Sequence, residues 1–250
     1  MNAYEQALKE AQENDDIVGF ILTGSRSKGF ENEHSDYDAI MIVKDEAAKA
    51  IHDRYEEEKV RDFDLTVCSM SDFKTFAAWD GPEAWDRYDY AHVKILVDKT
   101  NGELEQLAKE KGYIPQDKLS AFVDTWIDGY VNGVYRSVKC IRNGNSFGAH
   151  LEASNSMLDL LTLVFALNGR HRPFLGYVEK ELEKYPLENL LWSPSEFVAK
   201  IKKVFETADL ETQQELLKGV EKMCRRNKHG HMFDGWEGKD KWTMEFKLDK

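Results

Sequence analysis

The chain has 250 residues, a formal net charge of −12, and a composition that is 42% hydrophobic and 32% charged. That length and apolar share allow one or two packed domains and argue against a disordered chain. The acid excess gives no general electrostatic hold on long nucleic acid, whose affinity rests on neutralised phosphates, and it suits a cationic small molecule better.

Tyr4, Ala7, Leu8 and Ala11 recur at helical spacing and predict an amphipathic helix that ends at Asn14-Asp15-Asp16. Ile17 to Leu22 is a short run of strand formers and reads as a buried strand. Gly24-Ser25-Arg26-Ser27-Lys28-Gly29 breaks that pattern with small and basic residues; Tyr37 to Val43 and Phe63 to Cys68 are predicted as the second and third strands. Ser71-Asp72 reads as a helix cap ahead of Phe73 to Ala78, Val93 to Val97 as another strand, and Asn101 to Lys111 as a helix closed by Gly112. Trp79, Trp85, Tyr88 and Tyr90 make a dense aromatic stretch, read as core or interface with one ring free to stack on a base.

The second half has a different period. Leu119, Phe122, Val123, Trp126, Ile127, Tyr130 and Val134 place one long amphipathic helix over Asp117 to Asn143. Ala149 to Leu167 is apolar nearly throughout, as the central helix of a bundle would be, and weaker helices are expected at Gly176 to Lys184, Ser195 to Phe205 and Glu211 to Arg226. The Gly-rich segment from Asn227, including His229 and His231, is expected to be a mobile tail. The fold class is therefore α+β: a mixed sheet with flanking helices over 1–112, then a helical bundle over 113–250, with the working cleft expected between them. No apolar run reaches membrane-spanning length, since Leu158 to Leu167 is too short and contains Asp159. Three scattered cysteines without a CxxC pair, and a start lacking the basic and apolar regions of a signal peptide, predict a cytoplasmic location with reduced thiols.

Asp36 and Asp38 stand two apart on a predicted strand, so period-two geometry puts both side chains on one face and Tyr37 on the other. An apolar strand is a costly place for two ionised carboxylates, and a divalent cation offsets that cost; oxygen ligands suit magnesium. Upstream, Gly24-Ser25 follows a strand directly, where backbone N–H groups and the serine hydroxyl can meet a phosphate, with Arg26 and Lys28 adding positive charge. A third carboxylate is expected from a neighbouring strand, and Asp64, between Phe63 and Leu65, is favoured over Asp62 because it lies deeper.

Leu22-Thr23-Gly24-Ser25, Ser35-Asp36-Tyr37-Asp38 and Phe63-Asp64-Leu65 together resemble the signature of the DNA polymerase beta-like nucleotidyltransferase superfamily, and Gly24-Ser25-Arg26-Ser27-Lys28-Gly29-Phe30 with Ser35-Asp36-Tyr37-Asp38 resembles its small bacterial branch that includes the aminoglycoside and lincosamide antibiotic nucleotidyltransferases. The resemblance covers about the first seventy residues, and it implies the following roles. Asp36 and Asp38 hold two magnesium ions, Asp64 completes the catalytic carboxylates, and Gly24 and Ser25 grip the β- and γ-phosphates of ATP or another nucleoside triphosphate. A hydroxyl of a small acceptor attacks the α-phosphorus and pyrophosphate leaves. The proton goes to Asp64, or to a glutamate of the helical half, for which Glu152 is the candidate as a partly buried carboxylate of the kind a general base requires.

Arg136, Lys139 and Arg142 share a helix face and read as solvated or as a phosphate clamp; Lys180, after the central helix, is a further candidate phosphate contact. An aminoglycoside-type acceptor suits the acidic surface. The rivals are adenylylation of a protein or a tRNA end, and a non-catalytic nucleotide-binding module on the same scaffold.

Overall fold

The computed structural model describes residues 1–57 and 60–248. The chain forms two compact units, Met1–Tyr113 and Ile114–Lys250.

In the first unit, helix α1 (Ala3–Glu13) begins with a reciprocal cap: the Asn2 side chain accepts from the Glu5 N–H, and the Glu5 carboxylate accepts from the Asn2 N–H. Strand β1 (Ile17–Leu22) runs into a single short helix, α2 (Gly24–Lys28). Strand β2 (Tyr37–Val43), helix α3 (Ala48–Glu57) and strand β3 (Phe63–Ser69) follow, then α4 (Met70–Thr75), β4 (Lys94–Asp98) and α5 (Glu103–Gly112). The four strands form one mixed sheet in the order β3-β2-β1-β4. Strand β1 is antiparallel to both neighbours, whereas β2 and β3 are parallel, joined through α3.

Alternation sorts the strand residues between two apolar layers. Ala39, Met41 and Val43 face Ala7, Ala11 and Ile51 of α1 and α3. Ile42 and Ile21 face Phe73, Leu104 and Ala108 of α4 and α5. Both faces are covered, which is why β1 reads as a continuous apolar run.

Two local features depart from the sequence pattern. Helix α4 is capped by Ser69, the last residue of β3, whose hydroxyl accepts from the Asp72 N–H at 3.0 Å. Ser71, the expected cap, instead donates its hydroxyl to Asp45. Helix α3 is not among the predicted elements; its inward face is narrow, with Ile51 buried and Ala48 and Tyr55 packed beside it.

The second unit opens with α6 (Gln116–Arg142) and α7 (Ser146–Ala166). These two pack through small residues: a Cβ on Gly133 would lie 2.8 Å from Ser156 Cβ, and Ser137 donates to the Ala149 carbonyl at 3.1 Å. Helices α8 (Val178–Lys184), α9 (Pro194–Thr207) and α10 (Leu210–Arg226) follow.

The segment after Asn227 is not the mobile tail its glycine content suggests. It folds into α11 (His231–Asp234) and α12 (Lys239–Glu245), buries Phe233, and sets the Trp236 and Trp242 rings 5.9 and 5.7 Å from that of Tyr135 on α6. Asp124 of α6 anchors it: His229 Nδ1 lies 2.7 Å from one carboxylate oxygen and His231 Nε2 3.4 Å from the other. Asp124→Ala should lower stability by about 1–2 kcal/mol, because it leaves the enclosed His229 unpaired. A fall in the urea midpoint, with exchange protection lost first in α11, is the expected readout; an unchanged midpoint would show that the aromatic contacts alone hold the segment.

Candidate active site

Four strand ends converge at one edge of the sheet: β1 ends at Leu22, β2 begins at Tyr37, β3 at Phe63 and β4 at Lys94. In the antiparallel pairing of β1 with its neighbours, Leu22 stands opposite Ala39 and Lys94. The parallel register sets Asp38 directly beside Asp64 and Tyr37 beside Phe63. Asp38 therefore points to the side of Ile40 and Ile42, with Asp64 next to it, while Tyr37 turns into the layer under α1 and stacks on Tyr4 at 4.2 Å.

The turn after β1 is fitted to this edge. The Thr23 N–H donates to the Asp38 carbonyl at 2.9 Å. Gly24 has φ +61°, and a Cβ there would lie 1.8 Å from Asp38 Oδ2. Glycine is thus required twice, for a left-handed backbone and for the volume the Asp38 carboxylate fills. Gly29, at φ 68°, closes α2 with its N–H on the Ser25 carbonyl. Ser25 is buried at the start of α2.

Asp36 and Asp64 are exposed and Asp38 is half-buried. Among the described residues, none of the three carboxylates makes an ion pair or side-chain hydrogen bond. Burial pushes the Asp38 carboxyl above the usual carboxylate range, the charges of Asp36 and Asp64 push it further, and Lys28 and Arg26 oppose them. Unpaired, mutually repelling carboxylates are the donor set a hard divalent cation satisfies, and their chemistry fits magnesium. Among the described residues no group of three His, Cys, Asp or Glu side chains is arranged to hold a metal ion as it stands. Asp36, which precedes the first residue of β2, is the carboxylate whose place the sheet does not set.

The two cations of the turn are directed at main-chain carbonyls. Arg26 donates from Nε to the Asp36 carbonyl at 2.8 Å and from Nη2 to the Ser35 carbonyl at 2.6 Å, with its guanidinium 4.1 Å over the Tyr37 ring. Lys28 is buried, with Nζ 3.4 Å from the Gly24 carbonyl and 3.3 Å from the Asp89 carbonyl, and 5.2 Å over Tyr88. The sequence pattern offers both as phosphate contacts or as exposed cations. An arginine two residues from a glycine carries the same sequence signal whichever way it points.

Sequence reasoning missed Lys94 and Asp89. Lys94 is exposed at the start of β4 and donates to the Arg26 carbonyl at 3.3 Å. Its place comes from the pairing of Lys94 with Leu22, two residues before Gly24, which leaves no signal in the sequence. Asp89 is pushed up to about 7, chiefly by burial, with Asp86 and Asp38 adding to the shift and Lys28 opposing it. A carboxyl raised in the folded state adds stability that is complete below its ordinary range and is lost as pH rises through about 7. Asp89→Asn should therefore raise the melting temperature relative to the parent, and by more at pH 8 than at pH 5. Equal shifts at the two pH values would refute this assignment. Of the aromatic stretch, Tyr88 and Tyr90 are core, and Trp85 is 73% exposed.

The remaining candidates belong to the second unit. Glu152 is a half-buried residue of α7 lying 3.9 Å from Arg136, and Lys180 is exposed on α8. Lys139 and Arg142 lie over the rings of Tyr135 and Trp242. No helix among the described residues is long and apolar enough to cross a membrane.

No curated protein matches this chain. Among solved structures, a nucleotidyltransferase-like protein from Exiguobacterium sibiricum is similar at 12% identity and a TM-score of 0.41, over 97% of this chain and 77% of that one. Residues 4–118, the stretch that holds Gly24, Ser25, Asp36, Asp38 and Asp64, match the family model of the nucleotidyltransferase domain.

Proposed function

We propose that the chain is a magnesium-dependent nucleotidyltransferase that moves a nucleoside monophosphate, AMP from ATP, onto a hydroxyl of a small acceptor and releases pyrophosphate. The observation that carries this reading is the pairing of Asp38 with Asp64 beneath a glycine whose missing side chain makes room for the Asp38 carboxylate. Asp36, Asp38 and Asp64 would hold two magnesium ions, which when bound neutralise phosphate charge and stabilise the entering and leaving oxygens. The Gly24-Ser25 turn would meet the β- and γ-phosphates, with the Ser25 hydroxyl as a donor, and Lys180 is proposed as a further phosphate contact. The acceptor oxygen bonds to the α-phosphorus as the bond to the β-phosphate oxygen breaks, and the hydroxyl proton passes to a carboxylate. Asp64 supplies that carboxylate from the sheet edge, or Glu152 from α7.

The net charge of −12 favours a polycationic acceptor such as an aminoglycoside-type antibiotic. The test is incubation with magnesium and each α-labelled nucleoside triphosphate, against a panel of aminoglycosides, lincosamides, proteins and tRNA. Label moving from ATP to an aminoglycoside is the expected result. Label on protein or tRNA would transfer the assignment to the rival acceptors, and failure to bind any nucleotide with magnesium would overturn it.

A further inference from the structure

Asp38 is held by its strand and by Gly24, and Asp64 by the parallel register, but Asp36 ends the segment between Gly29 and β2. One side chain ties it down. The Arg26 guanidinium bonds the carbonyls of Ser35 and Asp36 through two nitrogens and lies over Tyr37, which is itself stacked on Tyr4. Arg26 also follows Ser25 in the chain, and its own carbonyl accepts from Lys94. A rigid fork thus joins the turn that would meet phosphate to the carboxylate that would meet metal.

We propose that Arg26 is a positioning residue for cation binding, which sets Asp36 against the Gly24-Ser25 turn and does not itself contact phosphate. This rests on the reading of Asp36 as a metal ligand given above. Charge and geometry make opposite predictions here. A guanidinium near three carboxylates repels a cation, so if Arg26 acted only through its charge, neutralising it would tighten cation binding. If it acts by fixing Asp36, any loss of the fork weakens binding, even when the positive charge is removed. Lysine keeps the charge but has neither the planar fork nor the stacking face.

The experiment is calorimetric titration of the nucleotide-free chain with manganese, comparing the parent with Arg26→Lys, Arg26→Gln and Asp36→Asn, each checked by thermal melting. Arg26→Lys and Arg26→Gln are expected to weaken manganese binding by about tenfold or more, the scale on which groups that orient metal ligands act. Asp36→Asn should weaken it at least as much. If Asp36→Asn weakens binding while both Arg26 variants bind as the parent or more tightly, the positioning role is overturned and the metal reading stands. If binding is absent, or indifferent to Asp36→Asn, the metal reading itself fails and the proposal falls with it. Should Arg26→Gln not fold, Arg26→Lys decides the question.

Discussion

Asp38→Asn is expected to reduce nucleotidyl transfer by about a thousandfold or more, the upper range for removing one preorganised charge-stabilising group, while leaving the metal-free fold as stable as the parent or more so. The two halves of this prediction come from the same geometry. Asp38 sits between Asp36 and Asp64, with burial and both neighbouring charges opposing its ionisation. An asparagine of the same shape keeps the contact with Gly24 and removes that repulsion. Activity and stability should therefore move in opposite directions, as they do where a site holds groups that the fold alone disfavours. Transfer measured with labelled ATP and melting measured without metal test both halves. Retention of more than about a tenth of the activity would remove Asp38 from the chemistry, because even a group that only orients a metal ligand ordinarily costs about tenfold or more when lost.

Gly24→Ala should be the most damaging single-methyl change in the first unit. Alanine at φ +61° costs about 1–2 kcal/mol in backbone strain. The added Cβ would also stand 1.8 Å from Asp38 Oδ2, with Asp38 Cγ and Cβ within 2.9 Å, so either the turn or the carboxylate must move. The expected cost is about 2–4 kcal/mol in stability together with loss of transfer. Gly102 supplies the control: its φ is +91° and nothing lies within 4 Å of a built Cβ. Gly102→Ala should carry the backbone penalty and keep the activity. Similar activity losses in the two variants would show that strain, and not the collision with Asp38, governs the site.

How much of this protein is legible in its sequence follows from which interactions are periodic. Strands β1 and β2 and helix α7 are legible as apolar runs because they are covered on more than one side, and helix α6 is legible because burial imposes a 3.6-residue period over its length. The side of the sheet that Asp38 and Asp64 share is legible because alternation along a strand assigns each side chain a face by its position alone; Asp36, read as part of the same strand, lies one residue before β2, so alternation does not set its direction. Helix α3 is not legible, since its inward face, Ala48, Ile51 and Tyr55, holds only one large aliphatic residue among charged ones. The directions of Arg26 and Lys28 are not, since a cation's partners in the main chain leave no trace in residue type. Lys94 and Asp89 reach the site through tertiary pairing alone. The segment after Asn227 reads as unstructured because its glycines and polar residues mask Phe233, Trp236 and Trp242, and the partner of the two tryptophans, Tyr135, lies on α6, about a hundred residues earlier in the chain.

The parallel register of β2 and β3 has a consequence for how sequences of this kind can vary. Asp38 and Asp64 are partners across two strands separated by the whole of α3, so the third carboxylate is addressed by counting residues along β3. Length changes within the connection between Val43 and Asp62 are absorbed before the count begins. A single-residue insertion between Phe63 and the pairing that follows would turn Asp64 toward α1 and leave the composition almost untouched. Homologous chains should therefore drift freely in the length of that connection, while an odd-numbered slip at the head of β3 would mark a lineage that has kept the scaffold and given up the reaction.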